Sequence, residues 1–310
     1  MASGLPLSQG IDEYLSWLAL DRHSSPGTVV QYRRHLERFA AFAGGDAAVG
    51  EVADVDRDVL RAYQRHLAGL KVGPAANQRP IAISTRTGRL VALRCFLRFA
   101  AREEWLPGDL GATIDLPKVP ERLPKPLEPA GRDLLLDALP DETLTEKRDR
   151  AFILFLLSTG VRISEALRLD RDDWKPQRMT VIGKGDRERP VTVTLKAREA
   201  VDKYLAARKD PAAALFIGFQ PATKGGRYNR LTVQGAHHIC HQVARRLGLP
   251  AFHPHQLRHT LGTLLQETVG DARLTAETLG HRGLGSVAGY TKITDRRRRE
   301  AYQEMEKAGL

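Results

Sequence analysis

Between residues 253 and 290 the chain collects side chains able to work on a phosphate. The stretch reads HPHQLRHT, then an apolar run of helical character, then LGHRGLGSVAGYT. Arg258 follows His255 at i+3, which on a helix places imidazole and guanidinium on one face. Arginine keeps its charge at any working pH, and its planar fork of donors matches phosphate oxygens. Tyr290 carries a hydroxyl that could attack the phosphorus. With a pKa near 10, only about one tyrosine in a thousand is ionised at neutral pH. Such a nucleophile needs a base beside it and a positive field around it. His255, Arg258 and His281 are the residue types that supply both.

These groups need a scaffold, and the composition provides for one. The chain has 310 residues, 42% of them hydrophobic, enough for two domains with packed cores. Its formal net charge is +11, with Lys and Arg spread along the whole length, the footprint of a nucleic-acid binder. The opening MASGLPLSQG lacks the pattern of a secretory leader. The apolar run Ala151 to Leu157 is too short to span a bilayer, and Cys95 and Cys240 lie far apart. The expectation is a cytoplasmic protein with reduced thiols and no membrane partner, associated with the nucleoid when bound to DNA.

The first hundred residues read as four helices. Ile11, Tyr14, Leu15 and Leu18 mark the first; Tyr32, Leu36 and Phe39 the second, after Ser25-Pro26; Leu60, Tyr63 and Leu67 the third. A polar loop is expected from about Lys71 to Ser84, followed by a fourth helix through Leu90, Leu93, Leu97 and Ala100. The other side of that helix carries Arg94, Arg98 and Arg102 in one row. The row is either a solvated face or a surface that touches DNA phosphates. From Leu106 to Pro129 repeated prolines forbid a continuous helix and predict a linker. The organisation expected is a helical core DNA-binding domain over residues 1–105, a proline-rich linker over 106–129, and a larger domain with a C-terminal helix over 130–310.

The larger domain opens with helix signals and the apolar AFILFLLSTG, a helix buried nearly all round that stops at Gly160. Val161-Arg162-Ile163-Ser164-Glu165 starts another. Met179 to Ile182 and Pro190 to Val193 read as strands joined by Gly183-Lys184-Gly185-Asp186, which puts Lys184 near a hairpin tip. Taken alone, Lys184 is an ordinary turn lysine with Lys71, Lys224, Arg187 and Arg189 as rivals, and Tyr228 and Tyr302 rival Tyr290. His237 and His241 share a helix face, but no partner pair of suitable spacing stands near them, so no metal site is expected.

Four segments together resemble the tyrosine recombinases, or phage-type integrases, including the Xer-like proteins. TGVRISEALRL resembles that family's first arginine box, VIGKGDRERPV its lysine hairpin, HPHQLRHT its His-x-x-Arg box, and LGHRGLGSVAGYT its histidine-to-tyrosine box. The resemblance implies a mainly α fold with a small β-sheet, arranged as a two-domain DNA clamp. It implies that Arg162 and Arg258 hold the scissile phosphate, Lys184 protonates the leaving 5′ hydroxyl, and His255 moves a proton. His281 would be a further phosphate donor, Tyr290 the nucleophile, and Glu165 a support for the site. The chain departs from the family at Arg282-Gly283-Leu284-Gly285 and at Gly289 before the tyrosine.

The implied activity is site-specific cleavage and rejoining of double-stranded DNA through a covalent 3′-phosphotyrosine. Negative charge building on the phosphate would be met by two arginines and a histidine. Neither ATP nor a metal is expected, since no glycine-rich phosphate loop or carboxylate cluster is present in the sequence. The partners implied are paired recombination sites and a homotetramer on them, or a second related recombinase. The segment from Arg296 to Met305 reads as a helix that is solvated, touches DNA, or docks on a neighbouring protomer through Tyr302 and Met305. A nicking-closing enzyme of the type IB topoisomerase kind, or a catalytically silent DNA-binding protein, are the competing readings.

Overall fold

The computed structural model describes residues 4–120, 125–183, 188–218 and 229–280, with Tyr302, Gln303, Met305 and Lys307 beyond them. It divides into two compact units, Met1–Glu121 and Arg122–Leu310.

In the first unit the helices are α1 (Leu7–Leu20), α2 (Pro26–Gly45), α3 (Arg57–Gly69) and, after the strands β1 (Lys71–Val72) and β2 (Arg79–Pro80), α4 (Ile83–Arg102). Local chemistry sets their starts. The Ser25 hydroxyl accepts the Thr28 N–H at 3.2 Å, with Pro26 in the first helical position. The Asp56 carboxylate accepts the N–H groups of Asp58 and Val59, each at 2.9 Å. The apolar stripes then meet in one core built on Tyr14, Leu36, Phe39, Tyr63, Phe96 and Leu97. Leu106 and Ile114 join that core, so the chain past α4 folds back along it.

Residues 71–80 are not the plain loop that their composition suggests. β1 pairs antiparallel with β2, Lys71 opposite Pro80 and Val72 opposite Arg79. Two-residue strands with exposed side chains carry no alternating pattern to detect. The reversal depends on Gly73 at φ +118°, where an added Cβ would stand 2.7 Å from the Asn77 carbonyl.

The second unit runs α5 (Pro129–Asp137), α6 (Leu144–Thr159), α7 (Ile163–Ala166), β3 (Thr180–Ile182), β4 (Glu188–Pro190), α8 (Leu195–Ala207), β5 (Ile217–Gly218), β6 (Asn229–Arg230), α9 (Val233–Arg246), α10 (Pro254–Thr268) and α11 (Ala272–Leu279). Among the described residues the β structure of the whole chain is three separate two-stranded ladders, β1–β2 in the first unit and the other two here. α6 is the central element. Thr143 and Glu146 close a reciprocal cap at its start: the Thr143 hydroxyl accepts the Glu146 N–H at 3.2 Å, and Glu146 accepts the Thr143 N–H at 3.0 Å. From Ala151 to Leu157 every side chain is buried, with α8 and α10 packed against the helix. Phe152 and Phe155 meet Phe216 at ring-centroid distances of 5.1 and 5.6 Å. Among the described residues no helix is long and apolar enough to cross a membrane.

Candidate active site

α6 ends at Gly160, whose φ of +58° turns the chain in the left-handed region that glycine alone adopts freely. A Cβ there would stand 2.8 Å from both Leu261 and Leu279, so the turn also needs the missing side chain. The turn brings Arg162 to the first residue before α7 and aims the Gly160 carbonyl at α10. On α10, Arg258 is 2% exposed; its guanidinium donates to the carbonyls of Gly160 and Leu279. Arg162 donates from Nη2 to the carbonyl of Gly280 at 3.4 Å. The two arginines, remote in sequence, therefore converge on consecutive carbonyls at the end of α11, directly before residue 281.

Glu165 holds Arg162 in place. Its Oε1 accepts Arg162 Nη1 at 3.0 Å, and its Oε2 accepts the Arg162 backbone N–H at 2.8 Å and Arg189 Nη2 at 2.9 Å. Burial pushes this carboxyl up, but the hydrogen bonds from Arg189 and Arg162 outweigh it and hold the group below the usual carboxylate range. The Arg162 side chain remains 39% exposed against 3% for Glu165, so one edge of the guanidinium stays open to a ligand.

His255 stands on the solvent side of α10, its ring 4.4 Å from that of His259. Although it keeps solvent access, burial first, then the charges of Arg258, His253 and Arg162, lower its pKa below the ordinary imidazole value. A lowered pKa leaves the ring neutral at pH 7, the form that accepts a proton. His253 caps α10, its Nδ1 accepting the Gln256 N–H at 3.2 Å. Among the described residues no group of three or more His, Cys, Asp or Glu is placed to hold a metal ion.

Of the residues singled out in the sequence, the structure brings Arg162, Glu165, His255 and Arg258 together. Lys184, His281 and Tyr290 lie outside the described residues. The strands that flank Lys184 do pair, with Ile182 opposite Glu188 and Val181 opposite Arg189. From the sequence alone Arg189 is only a rival for the lysine. Its role beside Glu165 could be found only from the ladder register, which turns its side chain inward.

In the first unit, two members of the row Arg94, Arg98 and Arg102 are ion-paired at the surface. Arg98 donates to Asp109 at 3.2 Å; Arg102 pairs with Glu103 at 2.6 Å and lies over the Trp17 ring at 4.4 Å. Arg94 is half-buried, its carbonyl 2.6 Å from where a Gly111 Cβ would stand. A different cationic set lies between α2 and α4. His35 has its pKa lowered by burial, then by Arg89 and Arg38, and burial and Arg38 likewise lower that of the buried Arg89. His35 Nδ1, Arg86 Nε and Arg89 Nε are buried without a hydrogen-bond partner, and among the described residues no carboxylate pairs with Arg38, Arg86 or Arg89. Cations that repel one another around unfilled donors suit an anion.

Comparison with known proteins matches residues 127–297 to the Phage integrase family and residues 11–104 to the Phage integrase, N-terminal SAM-like domain. The chain belongs to the phage integrase family. Among its relatives in that family, the tyrosine recombinase XerD of Corynebacterium glutamicum is 31% identical over 301 residues, covering 94% of this chain and 95% of the relative. The fold is that of the XerH site-specific recombinase bound to a palindromic difH substrate, with a TM-score of 0.71 at 18% identity over 99% of this chain and 98% of that one. It also matches a lambda integrase tetramer bound to a Holliday junction, with a TM-score of 0.67 at 15% identity over 90% and 78%.

Proposed function

We propose that the protein is a site-specific DNA recombinase that breaks and rejoins strands through a covalent 3′-phosphotyrosine formed by Tyr290. The observation that carries this reading is the convergence of Arg162 and Arg258 on the carbonyls of Leu279 and Gly280, immediately before the segment that holds His281 and Tyr290. In this reading the two arginines bind the non-bridging oxygens of the scissile phosphate. Neutral His255 takes the tyrosine proton as the phenolate oxygen attacks phosphorus. The phosphorus–5′-oxygen bond breaks, Lys184 protonates the departing oxygen, and His281 donates to the phosphate. A 5′ hydroxyl from another strand reverses the step and releases Tyr290.

The domain roles follow: residues 1–105 as a DNA-binding domain and residues 130–310 as the catalytic domain. Arg38 of α2 with Arg86 and Arg89 of α4 supply phosphate contacts there, more readily than the ion-paired Arg98 and Arg102. A homotetramer on paired sites is proposed for the exchange, by analogy with the lambda integrase assembly. The exposure of Tyr302 and Met305, 62% and 47%, supports a contact between protomers at the C-terminal end.

The test is a nicked suicide duplex taken from DNA flanking the gene, from which the short cleaved product escapes. Wild type should form an adduct that survives denaturing electrophoresis, and Tyr290→Phe should bind the duplex without forming one. Tight binding without any adduct from wild type, or an undiminished adduct from Tyr290→Phe, would sink the assignment.

A further inference from the structure

Arg189 stands on the inward face of an edge ladder, a position where a charged side chain needs a reason. In the β3–β4 register it lies opposite Val181, and directly paired residues share a face of the sheet. Val181 is buried, while the Arg189 neighbours Glu188 and Pro190 are exposed. The Arg189 side chain is 13% exposed and makes two separate attachments. Its Nη2 donates to Glu165 Oε2 at 2.9 Å, the same oxygen that accepts the Arg162 backbone N–H. Its Nε, Cδ and Cζ lie 2.8 to 3.0 Å from where a Cβ on Gly280 would stand, so the guanidinium and its stem cover the bare backbone of that residue. Gly280 in turn offers its carbonyl to Arg162.

We propose that Arg189 is a positioning residue that fixes the lysine hairpin to the Arg162–Glu165 pair and to the backbone entering His281; the inference rests on the strand-exchange reading above. The charge count gives the physical reason. A carboxylate paired with Arg162 alone would orient it but neutralise it, weakening its pull on a phosphate. Shared between two guanidinium groups, Glu165 orients Arg162 and leaves one net positive charge on this three-residue cluster, beside that of Arg258. The same contact ties strand β4, which follows Lys184 in the sequence, to the arginine box.

Neutralising Arg189 should therefore slow the chemical step more than it weakens DNA binding. On the suicide duplex, Arg189→Gln is expected to lower the rate of adduct formation about tenfold or more, with Kd for intact DNA within about twofold. Arg189→Lys restores the charge without the fork that reaches both partners, and should recover part of the rate. Losing a donor to Glu165 raises that carboxyl's pKa, so the acid limb of the rate profile should move to higher pH in Arg189→Gln. In a Glu165→Gln background the Arg189 substitution should cost less than about threefold, because the two residues act as a unit. An Arg189→Gln rate and acid limb equal to wild type would overturn the proposal. So would effects that multiply in full in the double variant, the mark of residues that act independently. If wild type forms no adduct at all, the recombinase reading fails by itself. Arg189 is then judged on free protein by 13C NMR titration of the Glu165 carboxyl: a midpoint raised in Arg189→Gln sustains its hold on Glu165, and an unmoved midpoint removes it.

Discussion

Glu165→Gln is the substitution whose consequence can be worked most closely from the geometry. The carboxylate accepts from three donors: Arg162 Nη1 on Oε1, and the Arg162 N–H and Arg189 Nη2 on Oε2. Glutamine has one oxygen and one amide nitrogen. Placing the oxygen at the Oε2 position keeps two of the three bonds; the amide then faces Arg162 Nη1, donor against donor. The Arg162 guanidinium is released while Arg189 stays. A hydrogen bond to a charged group contributes about 1.5–3 kcal/mol, and because the Arg162 side chain is 39% exposed water takes over part of the loss. A cost near the lower limit, about 1.5–2 kcal/mol, follows, and at roughly 2–4 °C per kcal/mol for a unit of this size Tm falls by about 3–8 °C at pH 7. The sign with pH is set by the lowered Glu165 pKa. Its contribution is complete above the unfolded value near 4.3, roughly, and is lost as pH falls through the lower folded value. Calorimetric melts of both proteins at neutral pH and across the acid range below 4.3, roughly, should show a gap that narrows only in the acid range. Equal Tm at pH 7, or a gap that stays constant into acid, would refute the reasoning.

Two further outcomes follow from the same structure. Replacing Arg38, Arg86 and Arg89 together by glutamine should weaken DNA binding and reduce the slope of log K against log salt by about 0.9 for each phosphate that is no longer neutralised; the same change at Arg94, Arg98 and Arg102 should reduce it less, since Asp109 and Glu103 already pair with two of these. Equal slopes for the two triple variants, measured by fluorescence anisotropy over a salt series, would return the Arg94 row to equal standing. Gly160→Ala combines a left-handed φ of +58° with a Cβ 2.8 Å from Leu261 and Leu279, and should destabilise the protein by about 2–4 kcal/mol in denaturant unfolding; a loss below about 0.5 kcal/mol would show that the turn is not constrained as described.

What was legible in the sequence is what local chemistry dictates. His255 and Arg258 are coupled by the pitch of one helix, Ser25 caps α2 by a hydrogen bond from the N–H three residues on, and Gly160 marks a stop because the turn after α6 must be left-handed. Partners far apart in the chain leave no such trace. A spacing of four along α4 is the same whether Arg94, Arg98 and Arg102 face water, DNA or Asp109. Only the course of the chain through residue 109 decides between them. The pair Arg38 and Arg89 becomes a cluster because α2 lies against α4, and nothing near either residue announces it. Arg189 shows the same limit most sharply. As a cation a few residues from Lys184 it competes for the lysine's role, and no composition or spacing separates the two. The register of β3 on β4 does: Arg189 turns inward with Val181 to meet Glu165, so its chemistry is spent on another side chain rather than on a substrate.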